Sequence, residues 1–92
     1  MTPTELENAL RLHQEAARRC RDAAAPDEAQ AAIRALQEAY ARVLDAIVIE
    51  ISAGRSVDQD LFARIATEHK AAFDQAHGLV EAYLKSLGNG QT

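Results

Sequence analysis

Tryptophan is absent from this chain of 92 residues, cysteine and methionine occur once each, and proline occurs twice. A single thiol, Cys20, cannot close an internal disulfide, so nothing in the sequence requires an oxidising compartment. With four glycines and two prolines, there are few places where a helix must break. No apolar run approaches the roughly 20 residues that span a bilayer. Met1 through Asn8 also lack the basic region and apolar run of a secretory signal. The expectation is a cytoplasmic protein with no membrane association. Clustered basic charge is scarce too. The net charge is −4 with acids interspersed among bases, which argues against a nucleic-acid partner. The one basic cluster, Arg18, Arg19 and Arg21, stands beside Glu15 and Asp22 and reads as a solvated helix face, with contact to an acidic partner as the lesser alternative.

What is present favours helix. Roughly a fifth of the chain is alanine, with Leu, Arg, Gln and Glu making up much of the rest. This Ala- and Arg-rich usage suits a bacterial source of high GC content. The length sets one domain, residues 1–92, near the lower end of sizes that fold unaided.

Three amphipathic segments follow from caps and periodicity. Thr2-Pro3-Thr4-Glu5 reads as a capping box with Thr2 as N-cap, opening a helix over about residues 3–25. Its stripe is Leu6, Ala9, Leu10, His13, Ala16, Ala17, Cys20, Ala23 and Ala24, which thins to alanine and invites close approach. Pro26-Asp27-Glu28 opens a second helix over about 26–53, with Ala29, Ile33, Leu36, Tyr40, Val43, Leu44, Ile47 and Ile51 inward and Gly54 as its left-handed stop. The run from Ala46 to Ile51 also suits a strand by propensity, but a lone strand would have no partner here. Ser56 through Gln59 reads as another capping box, with Asp58 as the alternative cap.

The third helix is then expected over about 57–87. An apolar arc from Leu61 and Phe62 to Tyr83, Leu84 and Leu87 keeps its phase across Gly78. Gly88 is the expected stop, and residues 89–92 the frayed tail. Short connections force antiparallel neighbours, so the expected fold is all-α, an up-down-up three-helix bundle.

Two histidines interrupt the apolar stripes. In an up-down-up bundle His13 and His69 come to the same height within about 3 Å at 1.5 Å per residue, and Tyr40 projects to nearly the same level. A His13–Tyr40–His69 layer across the core is therefore expected. The bland reading is a hydrogen-bonded layer that fixes register, in which case His69→Leu folds and gains stability. The sharper reading is a ligand or metal site. Yet a complete metal site needs three or four ligands, and the nearest Glu-x-x-His-like pair, Asp74-x-x-His77, straddles the stripe edge. No metal, cofactor or catalytic set is assigned from the sequence.

Arg64 and His69 have the Arg-x4-His spacing of HEPN-type helical ribonucleases, and this resemblance covers two residues. Ile65 stands where a polar residue is common in that family, and Arg64 projects away from His69 on the wheel. A small helical nuclease or enzyme subunit is the third functional reading. The leading expectation is a non-enzymatic interaction module that binds another protein: an adaptor, a chaperone-like factor or a regulatory bundle. The helices overhang their short first neighbour, so a homodimer is expected, with Val48, Ile49, Leu84 and Leu87 as candidate interface residues.

Overall fold

A computed structural model describes residues 4–89. Helices α1 (Glu5–Asp22), α2 (Pro26–Ser52) and α3 (Gln59–Asn89) each pack against the other two, and no strand occurs among the described residues. The result is an up-down-up bundle drawn out into a rod of 59 × 24 × 16 Å. The segment Ala46 to Ile51 is helical, as the want of a strand partner requires.

The helix ends show how local chemistry sets the boundaries. The capping-box pattern occurs twice, at Thr2-x-x-Glu5 and at Thr4-x-x-Glu7, and the structure uses the second. Thr4 is extended (φ −70°, ψ 163°), and its hydroxyl oxygen accepts the Glu7 N–H at 3.1 Å. Thr2 and Pro3, the expected cap and first turn, lie outside the described residues.

Helix α1 ends at Asp22, short of the expected Ala25. Pro26 forces its predecessor Ala25 into extended backbone, and the Glu28 carboxylate accepts the Ala24 N–H at 3.2 Å. At the other end of α2, Gly54 (φ +82°) donates its N–H to the Ile51 carbonyl, and Arg55 donates to the Glu50 carbonyl, both at 3.0 Å. This is a Schellman close, and only glycine takes that backbone without strain. The Arg55 side chain then folds back on the Glu50 carboxylate with contacts of 2.6 and 3.1 Å.

Helix α3 is capped by Asp58 rather than Ser56, since an Asp58 carboxylate oxygen accepts the Asp60 N–H at 2.9 Å. Gly88 does not stop the helix, which runs on to Asn89. Glycine permits a left-handed turn but does not compel one, and no positive φ is found there. Residues 90–92 of the expected frayed tail lie outside the described residues.

The core is small-residue packing in two apolar clusters. One gathers Ala16, Ala17 and Cys20 of α1 with Ala29, Ala32 and Leu36 of α2 and Ala72 and Ala76 of α3. The other joins Ala9, Val43, Ile47 and Ile65, with Leu6, Leu10, Tyr40, Val57 and Leu61 packed against it.

The large apolar residues misplace the stripe when it is read from sequence. Leu44, Ile51, Phe62, Tyr83, Leu84 and Leu87, all expected inward, are exposed. Helix α2 buries Ala29, Leu36, Val43 and Ile47 as expected, and with them Ala32, Ala39 and Ala46, a seven-residue repeat of small side chains that permits close packing. Ala72 is wholly buried. Ala72→Leu should therefore overpack the core and cost about 1–3 kcal/mol, lowering the Tm by roughly 5 °C or more. Thermal unfolding followed by circular dichroism measures this directly.

Candidate functional site

His13 is the one polar side chain in the fully buried core of the described residues, at 2% exposure. It lies between Ala9 and Ala16 on α1, as Tyr40 lies between Leu36 and Val43 on α2 and His69 between Ile65 and Ala72 on α3. The three rings thus fill the level between the two apolar clusters. The structure brings them together. His13 Nε2 and His69 Nδ1 are hydrogen-bonded at 3.3 Å, with ring centroids 5.4 Å apart. Tyr40 stacks on His69 at 4.1 Å and lies 5.7 Å from His13.

The row of rings continues beyond the layer to Phe73 and His77, at successive centroid separations of 6.5 and 5.2 Å. His69, Phe73 and His77 recur every fourth residue, so this extension could have been read from the sequence. The outermost member, His77, is exposed and faces the Glu81 carboxylate at 3.3 Å.

An imidazole pair joined by one hydrogen bond requires a proton on one facing nitrogen and a lone pair on the other. Burial pushes the His13 pKa below its ordinary 6.5, the proximity of His69 lowers it further, and Glu68 opposes the shift. Burial lowers His69 as well. Both shifts favour neutral rings at pH 7, a state compatible with the hydrogen bond, which only protonation of both facing nitrogens would break. Protonating both would aim two N–H groups at each other in a desolvated core.

Other candidate chemistry does not converge here. Among the described residues, no group of three or more His, Cys, Asp or Glu side chains could hold a metal ion. Asp74 is engaged by Lys70 at 2.8 Å and His77 by Glu81, so the Asp74–His77 spacing forms no ligand pair. The Cys20 thiol is buried and its pKa is pushed up, which suppresses the nucleophilic thiolate. Arg64 donates to the Asp60 carbonyl at 3.4 Å while His69 is engaged with His13, and no hydrogen bond joins Arg64 to His69.

The four candidate interface residues are all exposed, but they fall into two groups. Val48 and Ile49 lie near the end of α2, whereas Leu84 and Leu87 lie near the end of α3. Leu84 lines a hollow with Pro26 and Gln30 at the start of α2. The two groups are thus at opposite ends of the rod, separated by about 27 Å of helix between Gln30 and Val48. No protein-family model matches this chain, and neither a curated protein nor a solved structure matches it.

The pairing of buried His13 with half-buried His69 alters the expectation for single substitutions. His69→Leu leaves the His13 Nε2 buried without its partner, which should cost about 1–3 kcal/mol. Replacing both rings removes the orphan, so His13→Leu/His69→Leu should recover most of that loss in chemical denaturation.

The pH dependence has a definite sign. Two bases whose folded pKa values lie below 6.5 contribute stability that is fully present above 6.5 and is lost as pH falls from there toward the folded values. Between about pH 7.5 and 5.5 the Tm should fall by ~5 °C, the shift expected of about 1 kcal/mol in a domain this small. In the double leucine variant most of that fall should vanish.

Proposed function

We propose that this chain is a non-enzymatic protein–protein interaction module, an adaptor-like or regulatory bundle, and that it self-associates as a homodimer. The observation that supports this reading is the pair of exposed apolar ends. At one end Leu44, Val48 and Ile51 share one sector of α2, at i, i+4 and i+7, and Val48 and Ile51 are 61% and 60% exposed. At the other, Tyr83, Leu84 and Leu87 continue the stripe of α3, with Leu84 58% exposed. Scattered apolar side chains are ordinary on a monomer surface, but two stripes in register with helical periodicity are the pattern of helix-on-helix docking.

Because the two stripes lie at opposite ends of one rod, an antiparallel two-fold pairing sets each stripe against the other kind on the partner. One isologous contact then covers both. No helix among the described residues is long and apolar enough to cross a membrane, so a bilayer-spanning role does not account for these stripes.

Multi-angle light scattering at tens of micromolar should return twice the chain mass of 10.0 kDa. Val48→Glu/Leu84→Glu should return the monomer mass with helicity unchanged, since both positions are exposed. A monomeric wild-type chain at that concentration would overturn the dimer.

A further inference from the structure

Away from the exposed stripe of α2, a groove between α1 and α3 has a charge opposite in sign to the rest of the molecule. Two adjoining hollows of about 480 and 170 Å³ share Gln14 and Glu68 as lining residues. Arg11, Arg18 and Arg21 line the larger, and Arg64 enters the smaller from α3. On α1 the three arginines recur at i, i+7 and i+10, within an arc of about 80° at 100° per residue. Four guanidinium groups thus line one cleft, on a chain whose net charge is −4.

Their internal compensation is incomplete. Glu15 and Glu68 also line the groove, and Glu68 stands 4.0 Å from Arg21. Arg11 donates to the Asn8 side-chain oxygen at 3.5 Å and Arg64 to the Asp60 carbonyl at 3.4 Å, both neutral acceptors at long range. Among the described residues no salt bridge holds Arg11, Arg18 or Arg64. A guanidinium presents a planar fork that fits a carboxylate, and several along one cleft select an acidic segment over a single anion. From Arg11 to Arg21 the helix advances about 15 Å, the span of four or five extended residues.

We propose that the α1–α3 groove docks a short acidic segment of a partner protein, with Asp or Glu carboxylates received by Arg11, Arg18 and Arg64. A long polyanion such as nucleic acid would meet repulsion from the acidic surface beyond the groove, whereas a segment of this length would not. The proposal rests on the reading of the chain as an interaction module. It does not rest on the homodimer, which uses the exposed ends of α2 and α3 and is decided by molar mass.

The test is fluorescence anisotropy of the full chain with a labelled eight-residue oligoglutamate, at about 20 and about 300 mM salt. Saturable binding is expected at the lower salt, with loss of affinity at the higher. Arg18→Glu/Arg64→Glu should weaken it roughly tenfold or more, since each lost charge-assisted contact contributes on the order of 1 kcal/mol. Lys70→Glu/Lys85→Glu, the same change in net charge at residues outside the groove, should leave affinity within about twofold. Circular dichroism confirms that both variants remain helical, and Arg18→Gln/Arg64→Gln repeats the test without introducing acids. Three results would overturn the proposal: no saturable binding at low salt, equal weakening in both charge-reversal variants, or tighter binding to a single-stranded DNA octamer than to oligoglutamate.

Discussion

The hydrogen bond between His13 Nε2 and His69 Nδ1 ties α1 to α3 in the middle of the rod and fixes the axial register of the bundle. Apolar contacts between alanine-rich helices are nearly indifferent to a slide of one turn, because one small side chain replaces another at little cost. A buried imidazole is not indifferent, since sliding would leave its nitrogen without a partner in the core. Tyr40 fixes α2 at the same level by stacking on His69. The two apolar clusters then fall on either side of the layer, each with its own set of residues.

The small residues that permit this close packing also determine what the bundle presents outward. Helix α2 turns Ala32, Ala39 and Ala46 inward with Leu36, Val43 and Ile47, and that choice of inward face leaves Leu44, Val48 and Ile51 toward solvent. At the far end, α3 carries Tyr83, Leu84 and Leu87 to where the neighbouring helices no longer cover them. The apolar ends and the arginine-lined groove are thus consequences of one packing solution. Alanine permits close packing, the His13–His69 hydrogen bond sets the height of the helices, and the larger and charged side chains are left at the surface.

Much of this was legible in the sequence. Pro26 and Gly54 marked the ends of α2 because each acts through the backbone itself, the first by restricting its predecessor and the second by adopting a left-handed turn. The meeting of His13, Tyr40 and His69 followed from counting residues along helices joined by short connections. The inward face of α2 was less legible. Leu36, Val43 and Ile47 marked it, but Ala32, Ala39 and Ala46, whose hydropathy signal is weak, share the burial, while Leu44 and Ile51 are exposed. The arginine groove was not visible either, because Arg64 joins Arg11 and Arg18 only across two helices. On α1 alone the basic cluster reads as an ordinary solvated face.

The His13–His69 hydrogen bond is the central claim, and nitrogen-detected NMR of the imidazole rings tests it directly, with His13 and His69 assigned by substitution. At pH 7 the account predicts two neutral rings with one proton between His13 Nε2 and His69 Nδ1, so that one of these nitrogens is protonated and the other bare. On acidification both rings should protonate only below pH 6.5, and protonation of both should coincide with loss of the folded spectrum. Two facing nitrogens both bare at pH 7, or either ring titrating at or above 6.5 with the bundle intact, would contradict it.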